Sequence, residues 1–198
     1  MSKLYFRYST MGAGKSAQLL IAAHNYIERG MFPMLFTFEG DTRSGVGVIK
    51  SRIGIEMKAL TFNSETDLED GFGFDGVDAI FVDEAQFLTK QQVEELHRVA
   101  INWGIPVLCY GLRTDFLGRL FEGSMALMAH AEAIEELKTI CDCGRKATHV
   151  RRFKDGVLQL SGEVIQIGDL EYKSVCFKCF SQESLQPPAS ASPKENGE

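Results

Sequence analysis

Ser9-Thr10-Met11-Gly12-Ala13-Gly14-Lys15-Ser16 follows the apolar run Leu4-Tyr5-Phe6. It leads into a stretch in which Leu19, Leu20, Ala23 and Ile27 recur at helical spacing. Strand, glycine-bearing loop and helix in that order form a cradle for a nucleoside triphosphate. A phosphate chain carries several negative charges, and backbone N–H groups can surround it where no Cβ stands in the way. A helix starting near Ser16 aims its free N–H groups and positive dipole end at the same point. In this reading Lys15 reaches the terminal phosphates and the Ser16 hydroxyl ligates magnesium. Against the pattern G-x-x-x-x-G-K-[ST], Ser9 stands where the first Gly is expected, so the turn out of the strand has to accept a Cβ. The plainer alternative is a glycine turn before an ordinary helix, and the G-K-S run in a strand-to-helix setting speaks against it.

A second element has the same character. Ile80-Phe81-Val82-Asp83-Glu84 is an apolar strand ending in two carboxylates. An Asp at such a strand end beside a phosphate loop holds magnesium, usually through water. Asp83 fits that place. Glu84 can take a proton from an attacking oxygen, either a water or a substrate hydroxyl. The alternative is that the pair only caps a helix beginning near Thr89.

The rest of the chain places these elements. With 198 residues and 44% hydrophobic content, one main domain with a full core is expected, together with a small appendage. A net charge of -6 argues against a broad basic surface for nucleic acid. No apolar run approaches the ~20 residues of a membrane span. No secretory leader is visible either, since Lys15 and the glycines interrupt the early apolar residues. The expected compartment is the cytoplasm, where thiols stay reduced. Met34–Phe38, Val77–Val82 and Val107–Tyr110 read as strands. Val93, Leu96, Val99 and Ala100 read as one helix face, with Thr89 as its cap. Such alternation predicts an α/β fold with a parallel sheet flanked by helices. Asp41–Gly54 reads as a polar loop, either solvated or serving a phosphate site through Asp41, Thr42 and Arg43. Ser64–Gly76 also reads as loop. After Lys138 helical periodicity fades and short strand-like pieces such as Val157–Leu160 take over. The expected division is residues 1–139, 140–185, and a disordered tail over 186–198 that is rich in Pro, Ser and charge.

Four of the five cysteines lie in that last third, as Cys141-Asp142-Cys143 and Cys176-Phe177-Lys178-Cys179. Two close pairs so far apart match a structural zinc site, which a segment with few apolar residues needs as a staple. The C-x-C pair is tighter than the usual C-x-x-C. Cys109, inside a core strand, reads as a packed thiol. Lys138, Arg145, Lys146, Arg151, Arg152 and Lys154 make the region locally basic. Such a run is a solvated face, a nucleic-acid patch or a source of cations for a bound phosphate.

Five motifs in order, Y-S-T-M-G-A-G-K-S, D-T-R (Asp41–Arg43), V-D-E-A-Q-F (Val82–Phe87), G-L-R-T-D-F (Gly111–Phe116) and the cysteine pairs, resemble the type II thymidine kinase family from about Leu4 to Cys179. The resemblance implies a RecA-like P-loop sheet with a small zinc lobe, and γ-phosphoryl transfer from ATP to the 5′-hydroxyl of thymidine. It implies Glu84 as general base. It implies an ATP site formed by Ser9, Thr10, Met11, Gly12, Ala13, Gly14, Lys15, Ser16, Arg43, Asp83, Glu84, Ala85 and Gln86, with Ser16 and Asp83 positioning magnesium. The nucleoside would meet Met11, Phe116, Phe121 and Tyr172, under a loop of Val164, Ile165, Gln166, Ile167 and Gly168. Zinc would be held by Cys141, Cys143, Cys176 and Cys179. Ile167-Gly168 departs from the family's usual Gly-Gly. The resemblance also implies a homotetramer, with neither nucleic acid nor membrane as partner. Two other readings stand beside it: a P-loop ATPase of helicase type, in which Glu84 activates water, and a zinc-bearing nucleic-acid-binding module.

Overall fold

A strand apolar at every position demands cover on both faces, and Ala79–Val82 receives it: all four residues are buried. The computed structural model of the chain describes residues 3–163 and 171–185. In chain order the elements are β1 (Leu4–Ser9), α1 (Lys15–Ile27), β2 (Pro33–Phe38), β3 (Val48–Lys50), β4 (Glu56–Lys58), β5 (Leu60–Phe62) and β6 (Ala79–Val82). There follow a 3₁₀ turn (Ala85–Phe87), α2 (Lys90–Asn102), β7 (Val107–Leu112), α3 (Glu122–His130), β8 (Ala133–Glu136), β9 (His149–Lys154), β10 (Val157–Leu158), β11 (Glu171–Val175) and α4 (Phe177–Leu185).

The central sheet has six strands in the order β5-β2-β6-β7-β1-β8, and every pairing is parallel. Alternate residues of β6 serve opposite faces, as the two-residue period of a strand requires. Ala79 and Phe81 pack with Leu19, Leu20 and Ala23 of α1. Ile80 and Val82 pack with Val93, Leu96 and Val99 of α2 and Leu127 of α3. Each fully buried Phe or Leu contributes about 1.5–3 kcal/mol of hydrophobic stabilisation. The register pairs Ser9 with Leu112 and Val82 with Cys109, so the phosphate-loop strand and the carboxylate strand end at the same edge with β7 between them. Helix α2 begins where its cap was read. Thr89 accepts a hydrogen bond from the Gln92 N–H, and the Gln92 side chain accepts one from the Thr89 N–H.

Three expectations change. Asp41–Gly54 is not all loop, because Val48–Lys50 pairs antiparallel with Glu56–Lys58. Ile49 is 2% exposed in the α1-side core, which anchors the hairpin. The strand-like reading of Val157–Leu160 shrinks to Val157–Leu158. The basic run after Lys138 is not one solvated face. Lys138, Arg145, Lys146 and Lys154 are exposed, but Arg151 and Arg152 are 2% and 1% exposed.

A second, antiparallel sheet orders its strands β10-β9-β11. It is tied to the first at named points. The Arg113 Nη2 donates to the Thr148 carbonyl at 2.9 Å, Lys146 pairs with Glu136, and the Ser174 hydroxyl donates to the Met11 carbonyl at 2.6 Å. Among the described residues no helix is long and apolar enough to cross a membrane.

Candidate active site

Parallel strands deliver their carboxyl ends to one edge, and in open α/β sheets that edge is where ligands bind. Here the edge opens into a cavity of about 850 Å³. The loop after β1 forms its floor. Gly12 and Gly14 have φ of 73° and 76°, the left-handed region that a Cβ penalises, and Gly14 is the N-cap of α1. Ser9 has no such φ, so the position where the pattern expects a first Gly accepts a side chain without strain. Its hydroxyl donates to the Thr10 carbonyl at 2.7 Å and accepts from the Lys15 Nζ at 3.2 Å. Lys15 also donates to the Thr10 carbonyl at 2.9 Å, so its ammonium lies folded into the loop. Burial lowers its pKa, with Glu84 and Asp83 acting in the opposite sense. Ala13 packs toward the α1 side of the core and Ala85 is fully buried, and neither residue is among those that line the cavity.

Asp83 follows the last residue of β6 and is 4% exposed. Burial, reinforced by the neighbouring Glu84 charge, pushes its carboxyl up to about 7, and a hydrogen bond from Ser16 and the charge of Lys15 pull the other way. Its Oδ1 has no hydrogen-bond partner among the described residues. A buried carboxylate oxygen without a partner is costly. A divalent cation between Asp83 and the Ser16 hydroxyl would remove that cost, so these two residues fit magnesium.

Glu84 sits at φ 53°, ψ 35°, a left-handed conformation that costs a side-chain-bearing residue roughly 1–2 kcal/mol. The neighbourhood enforces it. Gln86, 2% exposed, donates through Nε2 to Glu84 Oε2 at 2.5 Å, while its Oε1 accepts from the Leu112 N–H at 2.9 Å. On the other side Arg43 Nη2 donates to Glu84 Oε1 at 2.6 Å. Arg43 is itself held by Asp41, Nε to Oδ1 and Nη2 to Oδ2 at 2.7 Å each. Burial works to raise the Asp41 carboxyl, yet the Arg43 contacts win and hold it below its ordinary value. The turn after Glu84 fits because its neighbours are glycines. A Cβ on Gly111 would fall 2.9 Å from the Gln86 N and Oε1, and one on Gly123 2.6 Å from the Leu88 carbonyl.

Beyond Met11 the cavity turns aromatic, lined by Phe116, Phe121 and Tyr172. Phe121 meets Phe87 edge to face at 5.7 Å, and Phe87 lies 4.5 Å from Phe38. One chamber thus joins a cation-rich end, a carboxylate pair and an aromatic end, which suits a phosphate donor and a flat hydroxyl-bearing acceptor. Val164, Ile165, Gln166, Ile167 and Gly168 lie outside the described residues.

Arg52 and Ser174 are among the residues of this region that the sequence does not single out. Arg52, at the turn of the β3–β4 hairpin, lines the cavity with Nη1 3.6 Å from where a Gly12 Cβ would lie. It makes no hydrogen bond or ion pair with any described residue. Ser174 escaped because its link to Met11 spans most of the chain. A basic residue in a Gly-rich stretch after D-T-R was the one available signal for Arg52.

The four late cysteines also meet. Their Sγ atoms all lie within 4.8 Å of one another, with Cys141 and Cys176 buried and Cys143 exposed. Hydrogen bonding from the Arg145 backbone, then from Cys141 and Cys176, draws the Cys143 thiol down to about 6. Hydrogen bonds with Cys143, Cys176 and Cys141 send Cys179 up to about 12. Four converging thiols suit a structural zinc ion. Cys109, fully buried in β7, has its thiol raised by burial and stands apart from them.

A model of the family described as Thymidine kinase matches residues 2–180. The thymidine kinase of Mannheimia succiniciproducens is 52% identical over 190 residues, covering 93% of this chain and 97% of that protein. That of Haemophilus influenzae is 53% identical over 182 residues, covering 89% and 94%. That of Rhizobium meliloti is 51% identical over 184 residues, with the same coverages. Among solved structures, the Pif1 helicase of Candida albicans aligns with a TM-score of 0.43 at 15% identity over 70% of this chain and 36% of that one, too slight a likeness to weigh. A glycine loop after β1, a D-E turn and a four-cysteine cluster on one chain, matched over about nine-tenths of its length by relatives at about half identity, mean that this protein belongs to the thymidine kinase family.

Proposed function

We propose that this protein transfers the γ-phosphoryl group of ATP to the 5′-hydroxyl of thymidine, giving dTMP and ADP. One observation carries the reading beyond family membership: Glu84 sits in the same cavity as the phosphate loop and the aromatic residues Phe116, Phe121 and Tyr172. Gly12, Gly14 and the α1 N-terminus take the phosphates, and Lys15 leaves its loop carbonyl for them. Ser16 and Asp83 hold magnesium, which when bound neutralises charge on the phosphate oxygens. An incoming phosphate competes with Glu84 for the Arg43 guanidinium, whose fork suits phosphate as well as carboxylate. Glu84 Oε1 is then free to take the 5′-hydroxyl proton, while Gln86 keeps the carboxylate aimed. Met11 and the aromatic residues position the base, so that the reaction becomes one of orientation more than covalent catalysis.

The cysteines would carry zinc as a structural ion. The division into residues 1–139, 140–185 and 186–198 is retained as the proposed organisation, supported by the separate sheet formed after His149. A cytoplasmic homotetramer that does not bind nucleic acid is the accompanying expectation, checked by light scattering and by DNA retention at physiological salt. The deciding experiment measures thymidine-dependent conversion of ATP to ADP with dTMP formed in equal amount. ATP hydrolysis stimulated by DNA and indifferent to thymidine would overturn the proposal in favour of a helicase-type ATPase.

A further inference from the structure

Arg152 is 1% exposed, a cation taken almost wholly out of water. Among the described residues it has no carboxylate partner. Its guanidinium carbon lies 3.6 Å from the centroid of the Phe116 ring, stacked on that ring. Its Nη1 donates to the Glu163 carbonyl at 2.6 Å and its Nη2 to the Ser161 carbonyl at 3.1 Å. On β9 it stands directly across from Tyr172 of β11. Cross-strand partners share a face of the sheet, so Arg152 stands beside one cavity aromatic and beneath the other. Gly162 completes the arrangement, since a Cβ there would come within 2.6 Å of Arg152 Nη2.

Stability alone gives a weak account of this residue. A buried cation costs several kcal/mol in desolvation, and an apolar side chain of similar length would fill the space more cheaply. What a guanidinium supplies that an apolar chain cannot is a planar plate with directional donors. It fixes a ring on one face while gripping two carbonyls of the neighbouring segment at its rim.

We propose that Arg152 is a positioning residue for nucleoside selection: it locks the Phe116 ring to the 161–163 backbone and so sets the spacing between Phe116 and Tyr172. It acts through Phe116 and touches no reacting atom. The inference rests on the reading of Phe116 and Tyr172 as nucleoside walls. A wall locked before binding loses less freedom when the base enters, so the effect belongs to the thymidine step and not to ATP.

The test is steady-state kinetics of Arg152→Met, Phe116→Leu and the double variant, with KM measured separately for thymidine and ATP. We expect Arg152→Met to raise the thymidine KM at least ten-fold and to leave the ATP KM within two-fold. In the Phe116→Leu background it should add less than two-fold, because the ring through which it acts has gone. An unchanged thymidine KM, two KM values rising in step, or an equal penalty in both backgrounds overturns the proposal. Should Arg152→Met fail to fold, Arg152→Lys carries the test, since an ammonium keeps the charge but cannot form the planar stack on Phe116 with the two-carbonyl grip. The same split in KM is expected there, and equal KM values overturn the proposal. A wild-type protein that phosphorylates no thymidine overturns the kinase reading as well, and is told apart from the other outcomes by that result alone.

Discussion

Glu84 is gripped at both carboxylate oxygens and set in a left-handed backbone conformation, an expensive posture for a residue that only ended a strand. That cost makes sense if the carboxylate must be ready to accept a proton. Glu84→Gln preserves shape and removes basicity, so kcat for thymidine phosphorylation should fall by about 10²–10³-fold, within the range of a lost general base. ATP affinity should stay within a few-fold, measured by titration calorimetry. Near-normal turnover would remove Glu84 from the chemistry. Arg52 is the converse case, a cation beside the phosphate loop with no protein partner among the described residues. Arg52→Ala should raise the ATP KM by roughly ten-fold, the equivalent of one charge-assisted hydrogen bond at about 1.4 kcal/mol. The thymidine KM should hold steady. If added salt does not narrow the difference between the two proteins, Arg52 is not acting as a charge.

At the scale of elements, what the sequence made legible follows from where the signals lie. Helix α1, strand β6 and helix α2 were readable because each carries its own cause: G-K-S at the start of one, an unbroken apolar run in the next, and Thr89 with Gln92 at the last. Helix α3 was missed because its N-cap is Phe121, which makes no side-chain capping bond, so nothing in the sequence announces a start. The β3–β4 hairpin was missed because its strands are three residues each and only Ile49 is buried. Arg52 went with it, since its place in the cavity exists only when the hairpin folds back. The two helices also part in what they do for the site. Thr89→Ala removes a cap and should cost about 1 kcal/mol in urea unfolding, with KM values unchanged. Gly123→Ala drives a methyl into the carbonyls of Ala85, Gln86 and Leu88, so α3 must lift away from the turn that aims Glu84. That overpacking should cost about 1–3 kcal/mol and lower kcat more than ten-fold. A destabilised Gly123→Ala protein with intact kcat would show that α3 does not hold the turn.

Across the whole molecule, the two sheets share one cavity, and the four thiols converge beside the smaller one. Cys141 comes before β9, and Cys176 and Cys179 come directly after β11, so the cluster clasps the two strands that carry Arg152, Tyr172 and Ser174. The small lobe and the meeting of Phe116 with Tyr172 were expected from the family resemblance, but the ties between the sheets were not legible, because they are long-range: Ser174 to Met11, Arg113 to Thr148, Arg152 to Phe116. The buried apolar set around the thiols is small, with Ala147 and Val175 as its non-cysteine members, too little to hold a sheet without a staple. The six-stranded sheet, by contrast, is packed by helices on both faces and has no need of the thiols. If the cluster holds the proposed zinc, its removal should therefore loosen β9 and β11 while leaving β1, β6 and β7 intact. Under a strong chelator, or in Cys176→Ser, amide exchange in β9 and β11 should quicken by orders of magnitude and exchange in the central strands should not. The thymidine KM should rise with it, because Tyr172 loses its seat. ATP should still bind, weakened only as far as the Ser174 hydroxyl no longer steadies the Met11 carbonyl. Zinc content, exchange and thymidine KM should move together across partly stripped samples. If the central strands lose protection in step with β9 and β11, the molecule is one cooperative unit, and the thiols stabilise all of it and not the smaller sheet alone.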